Sequence, residues 1–430
     1  MTPRQIVFTG TGAICGAGHT PKEIWQTLLS GQSAIGPLTR WDPTTWSVKQ
    51  AAEITGITPR QLVEDRRLHK MLSRSDLYGL YAATSALQQS NLTTHRDTLS
   101  PEAATLFNDR SGVFAGSGGA AYSHNYDFLP AIAEAQGSLH KFGTEHSTLV
   151  DPLWLLRHLP NNVVCHVGIR SGFKGTNACI TNQCAGGLLA VIEAAEAILN
   201  HEADRATTTG HDSPLDAETF LHYQNLGLLS PDTLRPFDTQ RSGTIFGEGA
   251  ASLVLETKTD AQQRNTPILG EYLGSGCTTE ATGVVEIRPD GDGPARAIQL
   301  ALENANLSPD DIGFIVTHGN GTRTSDASEA AAIQSIWPHN PPPITAFKWA
   351  FGHLIAAAGT MDLVLTLLAL QHNTVPAITP TREIDPAFNH LPFTTQTTQP
   401  RSNTAIVLCR GFGGMNVAVA VRAGTPADAQ

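Results

Sequence analysis

Short, largely apolar runs alternate with longer amphipathic stretches along the whole chain. Ile6–Phe8, Gly112–Ala115, Ala251–Leu255, Gly313–Val316, Thr404–Leu408 and Val417–Val421 read as strands. Several are apolar without alternation, which suits a sheet covered on both faces. After Cys184, the residues Leu188, Ile192, Ala195 and Leu199 recur at i, i+4, i+7 and i+11, along one face of a helix. Further helices are predicted over Ser325–Trp337 and from about His353 to Gln371. Strands and helices alternating in this way predict α/β layers.

The chain divides near residue 255 into halves of similar plan, 1–255 and 256–430. Each half opens on a short strand and later presents a reactive residue where a strand gives way to a helix. Glycine turns stand at strand ends in both, Gly116-Ser117-Gly118-Gly119 and Gly411-Phe412-Gly413-Gly414. An internal duplication is the expectation. The insert from Tyr122 to Asn162 lacks periodicity and is expected to form a cap or an oligomer contact. The polar tail from Gly424 to Gln430 should fray.

Composition narrows the class. Over 430 residues, 28 Lys+Arg against 39 Asp+Glu leave a net charge of −11, and only 16% of residues are charged while 40% are hydrophobic. Such a chain has a large core to bury, and its acidity argues against a general nucleic-acid binder. The stretch Leu354–Leu370 is interrupted by Gly359, Thr360 and Asp362. It falls short of the roughly 20 apolar residues a membrane span needs, so a buried helix is expected. The start of the chain has no apolar export signal. Six scattered cysteines without a C-x-x-C pair read as reduced thiols of a cytoplasmic protein, and a zinc site is not expected.

Three residues stand where chemistry is commonly placed. Cys184, in Asn182-Gln183-Cys184-Ala185-Gly186-Gly187, sits at the start of the amphipathic helix, where unpaired N–H groups and the helix dipole favour a thiolate. His318 ends a strand, in His318-Gly319-Asn320-Gly321-Thr322. His353 follows Gly352, just before the long apolar helix. A thiolate and two imidazoles at glycine-flanked junctions suit acyl transfer, in which an oxyanion must be stabilised. Lys348, in an apolar context beside Trp349, is expected to form an ion pair that sets the electrostatics of the histidines, with Glu329 as its counter-ion. The glycines of Gly10–Gly16 do not fit the dinucleotide fingerprint, and Asp290–Gly293 lacks calcium-loop spacing.

Taken in order, these residues resemble a β-ketoacyl-acyl-carrier-protein synthase, closest to the synthase II and type II polyketide ketosynthase branch. The similarity spans nearly the whole chain. It includes Arg235-Pro236-Phe237-Asp238, Gly247-Glu248-Gly249-Ala250, the His318 motif with Asp326 and Glu329, Lys348 with Gly352-His353, and Gly411–Asn416. The resemblance implies a thiolase-like five-layer αβαβα fold built from two duplicated halves. It implies a condensing enzyme that loads an acyl chain onto Cys184, decarboxylates malonyl-carrier protein, and joins the two into a 3-oxoacyl product. By that resemblance His318 and His353 polarise the malonyl thioester carbonyl, and the N–H groups of Cys184 and Phe412 form the oxyanion hole. Phe412 also gates the two half-reactions. Asn320, Thr322 and Gly413 contact the substrate arm, and Lys348 with Glu329 orders the histidines. No bound cofactor or metal is implied; phosphopantetheine arrives on the acyl carrier protein.

The departures bear on substrate. Gln183-Cys184-Ala185-Gly186-Gly187 resembles chain-length-factor subunits, in which Gln replaces the cysteine; here the cysteine is present. Asn320 and Arg410 stand where many relatives have Thr and Phe. A specialised polyketide or polyene pathway is therefore as well supported as fatty-acid elongation. The implied partners are an acidic carrier protein, docking on the cluster Arg66, Arg67, Lys70 and Arg74, and a second subunit joined around Asn161–Gly172. That subunit is either an identical copy or a chain-length factor. The rival readings are a non-catalytic chain-length-factor-like subunit and a degradative thiolase using coenzyme A. Retention of Cys184, His318 and His353 argues against the first, and two histidines argue against the second.

Overall fold

The computed structural model describes residues 4–119, 128–146, 149 and 151–424. Among the described residues ten strands form one sheet: β1 (Ile6–Cys15), β2 (Ser111–Ser117), β3 (Asn177–Ile180), β4 (Arg205–Asp212), β5 (Gly249–Thr257), β6 (Gly270–Thr279), β7 (Phe314–Val316), β8 (Ile344–Thr345), β9 (Thr404–Gly411) and β10 (Met415–Ala423). Their spatial order is β8-β7-β9-β10-β6-β1-β5-β4-β2-β3.

The order is a repeat. In the first half β1 pairs antiparallel with β5, β5 antiparallel with β4, then β2 and β3 follow in parallel. The second half repeats these senses as β6, β10, β9, β7 and β8. The two half-sheets join where β1 meets β6, Ile6 opposite Tyr272. Helix α1 (Arg74–Ser90) covers one half. Helices α4 (Asp292–Ala305) and α5 (Arg323–Ile336) lie on the side of the other. Between the half-sheets lie α3 (Gly186–Leu199) and α6 (Ala358–Gln371). The result is the expected five layers. Helix α2 (Asn162–Ser171) flanks β2 and β3 at the edge.

Local chemistry explains these elements. Ser73 caps α1 with a reciprocal bond to Asp76, and Asn91 ends the helix in the left-handed region at φ 55°. α6 is buried on nearly every face, as an apolar helix between two sheets must be. Gly116 lets α3 sit directly on β2: a Cβ there would lie 2.1 Å from the Gly186 carbonyl carbon.

Some expectations change. Strand β5 runs through Thr257, and β6, which opens the second set of strands, starts at Gly270. The glycine turns are not counterparts, since Gly116–Gly119 follows β2 whereas Gly411–Gly414 follows β9, whose equivalent is β4. Strand β4 escaped the hydropathy reading because its sequence, Arg-Ala-Thr-Thr-Thr-Gly-His-Asp, is polar. Its threonines are nevertheless buried; Thr209 Oγ1 lies 3.0 Å from Ser252 Oγ on β5. Within the insert the described residues form short helices at Leu129–Glu134 and Trp154–Arg157. Most of the tail expected to fray lies outside the described residues.

Candidate active site

Cys184 is the middle residue of a single 3-10 turn, Gln183–Ala185, between β3 and α3. Gln183 takes φ 44°, an uncommon conformation for a side chain-bearing residue, and this bends the chain sharply into the helix. The thiol is 5% exposed. Its carbonyl accepts a bond from Cys409 Sγ at 3.1 Å. Burial pushes the Cys184 thiol up to about 12, Asp212 adds to the rise, and Lys348 only partly opposes it. The resting group is therefore a thiol, not the thiolate expected from the helix start. A helix end favours an anion by about 0.3–1 kcal/mol, less than the loss of water costs. Alkylation of Cys184 by iodoacetamide in the unacylated protein should accelerate about tenfold per pH unit up to at least pH 10. A plateau near neutrality would show that the thiolate reading was right.

His318 follows β7. Its N–H and that of Gly319 donate to the two oxygens of Glu329 at 2.7 and 3.0 Å. The ring Nδ1 accepts the Arg410 N–H at 3.4 Å, so in the neutral ring the proton sits on Nε2. His353 is held by its own N–H to the Ile245 carbonyl at 2.7 Å. The two rings meet edge to face with centroids 5.0 Å apart. Burial, then the Lys348 charge, hold both imidazoles well below the usual histidine range. Both are neutral donors or acceptors at physiological pH.

The counter-ion of Lys348 is not Glu329 but Asp362 on α6, at 2.5 Å, with both side chains fully buried. Burial alone would depress the ammonium, and Asp362 more than restores it. Glu329 instead clamps the backbone at His318, while its own carboxyl is pushed up by burial against the pull of Arg410 and those two N–H bonds. Asp362 was legible in principle, because an acid interrupting a buried apolar helix requires a cation.

Cys184, His318, His353, Asn320, Thr322 and Phe412 line one cavity of about 90 Å³. Asn320 Oδ1 accepts from the N–H and hydroxyl of Thr322, which shapes this wall. Gly413 is not among the lining residues; its N–H donates to the Val284 carbonyl at 2.7 Å, tying the Phe412 turn to the loop before Arg288. Lys348 and Glu329 stand behind the wall. Arg66, Arg67 and Lys70 are exposed. With Arg74 they do not form one helix face: they spread over a loop, the 3-10 turn Leu68–Lys70 and the first residue of α1. Arg67 pairs with Asp65 at 2.8 Å, and Arg74 leans toward Glu248 at 3.8 Å. Sequence reasoning missed two further groups. Arg410, noted only as a departure, is buried with Glu280 at 2.6 Å and Asn416 at 2.8 Å. Asp212, at the end of β4, is pushed up by burial to about 7.

A thiol and two neutral imidazoles facing one cavity, on a duplicated five-layer fold, define a condensing enzyme that acts on acyl thioesters. The chain belongs to the β-ketoacyl synthase family: the N-terminal domain of that family matches residues 3–261 and its C-terminal domain residues 269–382. It is 29% identical over 385 residues to Nodulation protein E of Rhizobium leguminosarum bv. trifolii, covering 89% of this chain and 90% of that protein. It is 27% identical over 400 residues to 3-oxoacyl-[acyl-carrier-protein] synthase 2 of Staphylococcus aureus (strain COL), with the same coverage, 89% and 90%. Among solved structures, the ishigamide ketosynthase/chain length factor superposes with a TM-score of 0.85 at 26% identity, covering 98% of this chain and 100% of that one. The protein is thus a ketosynthase, a condensing enzyme of the acyltransferase class. Among the described residues no helix is long and apolar enough to cross a membrane, and no cluster of side chains could hold a metal ion.

Proposed function

We propose that Cys184 carries the acyl chain and that His318 and His353 drive the decarboxylation. The Cys184 sulfur attacks the thioester carbonyl of acyl-carrier protein, and its proton ends on the departing pantetheine thiol. Malonyl-carrier protein then loses carbon dioxide. The electron pair of the broken C–C bond becomes an enolate, whose oxygen accepts from Nε2–H of the imidazoles. The enolate carbon attacks the Cys184 thioester, and the expelled sulfur takes up a proton. Each tetrahedral oxyanion formed at the Cys184 thioester rests on the N–H groups of Cys184 and Phe412. Neutral donors suit an enolate, since they stabilise it without protonating it outright.

The observation that carries this reading is that two neutral imidazoles share one small cavity with a buried thiol. It is tested by separating the half-reactions. His318→Ala and His353→Ala should still form the acyl adduct while carbon dioxide release falls about 10²–10⁴-fold. Loss of the adduct with release intact would overturn the assignment.

The carrier protein docks on Arg66, Arg67 and Lys70, and its phosphopantetheine arm reaches the cavity past Asn320 and Thr322. Exposed positive charge suits an acidic partner. Reversing the three to Glu should raise KM for acyl-carrier protein roughly tenfold or more, with kcat for a short acyl-pantetheine unchanged. The enzyme works as a dimer, either of identical chains or with a chain-length-factor-like subunit, through the edge strand β3 and helix α2. On α2, Ile169 is 74% exposed. Six free cysteines suit a reducing cytoplasm.

A further inference from the structure

The repeat in the sheet extends to the backbone of the active site. Strands β4 and β9 both have eight residues, and each pairs with a nine-residue strand in the same register: Asp212 lies opposite Gly249, and Gly411 opposite Met415. The turn Gln183–Ala185 precedes the 14-residue α3, and a second three-residue 3-10 turn, Ile355–Ala357, precedes the 14-residue α6. Gln183 and Ile355 open these turns at φ 44° and 45°. Residue by residue, Cys184 corresponds to Ala356, Gly411 to Asp212, and Phe412 to Ser213.

The N–H pair of Cys184 and Phe412 therefore has a duplicate in the N–H groups of Ala356 and Ser213. In the second copy an acceptor is already in place. Asp212 Oδ1 takes the Ser213 N–H at 2.8 Å, and Oδ2 takes the Ala356 N–H at 3.4 Å. Where the catalytic copy has Gly411 and leaves room for a substrate oxygen, the second copy has a carboxyl that fills the space itself. We propose that Asp212 is a positioning residue, a built-in ligand of a second oxyanion-type N–H pair, and that by filling this pair it fixes the turn Ile355–Ala357, which follows His353 and packs against the segment carrying Cys184.

The contacts support that transmission. A Cβ on Gly187, in the first turn after Cys184, would lie 2.4 Å from the Ala356 carbonyl oxygen, so the two turns touch through their backbones. His353 is two residues before Ile355, on the same short segment. Asp212 also borders a cavity of about 380 Å³ that Gln183 and Phe412 help to line, so a small anion can reach the pair if the side chain is removed. A misplacement of reacting groups on the order of 1 Å costs about 10²-fold in rate.

The proposal rests on the Cys184–Phe412 reading of the oxyanion hole, and its test has a readout that does not. Asp212→Gly, which copies Gly411, empties the second pair. Its kcat should fall by about 10- to 100-fold with KM for carrier substrates little changed. Sodium formate should restore kcat saturably and should raise the Tm of Asp212→Gly but not of wild type, sodium chloride at equal ionic strength doing neither. Asp212→Asn, which keeps one carbonyl acceptor, should retain intermediate kcat and show no formate response. Wild-type kcat in Asp212→Gly, or a folded variant whose Tm and kcat both ignore formate, would overturn the proposal. If Asp212→Gly does not fold, wild-type kcat in Asp212→Asn overturns it equally. A formate-dependent Tm with no acyl adduct in wild type would instead sink the Cys184 reading and leave the second N–H pair standing.

Discussion

Cys184→Ala should form no covalent acyl adduct with any acyl-carrier protein, and condensation should fall by a factor on the order of 10⁴ or more. The expectation follows from the chemistry of the cavity. Among the described residues that line it Cys184 is the only thiol, and the neighbouring Cys409 is buried and bonded to the Cys184 carbonyl. Burial pushes the Cys409 thiol up further still. Intact-mass measurement after incubation with acyl-carrier protein reads the adduct directly. Carbon dioxide release from malonyl-carrier protein should persist in the variant, because the imidazoles and the N–H pair remain. An adduct of undiminished yield would move the nucleophile elsewhere, and absence of an adduct in wild type as well would favour a non-catalytic partner subunit.

Lys348→Met should lower stability by about 3–5 kcal/mol, among the largest single effects available in this fold. The substitution leaves Asp362 buried without a cation on a helix that is apolar on nearly every face, and Asp362 Oδ1 already has no other partner among the described residues. Burial raises the Asp362 carboxyl, and Lys348 is the main force opposing that rise. Without it the carboxyl takes up a proton in the folded state while the unfolded chain keeps its ordinary value. The folded state then binds more protons, so the deficit grows as pH rises from that ordinary value toward the raised one. Denaturant titration at pH 5 and pH 8 measures this, with the larger loss expected at pH 8. The double variant Lys348→Met/Asp362→Leu should recover most of the loss, whereas Lys348→Met/Glu329→Gln should not. The reverse pattern would restore Glu329 as the counter-ion.

Much of the site was readable before any coordinates. Cys184, His318 and His353 each carry local signals, a glycine-flanked junction between a strand and a helix, and such junctions are written in consecutive residues. The electrostatics were not readable. A helix start argued for a thiolate at Cys184, but desolvation depends on every atom packed around the sulfur, and burial reverses the argument. Lys348 was matched to Glu329 on residue type, whereas the fold brings α6 across and pairs it with Asp362. Gly413 belonged to a matching motif, yet its N–H turns to Val284.

By itself the amino-acid sequence determined the layered α/β class, the buried character of the apolar helix after His353, and the three candidate side chains, Cys184, His318 and His353, that the fold gathers at one cavity. Local periodicity and junction chemistry are properties of neighbouring residues. Tertiary structure alone decided which strands pair, which acid neutralises Lys348, how far burial shifts the thiol and the imidazoles, and that Asp212 fills a duplicate of the N–H pair at Cys184. Those outcomes depend on groups far apart in the chain meeting in a volume from which water has been removed, where distance and desolvation, rather than residue type, set the energy.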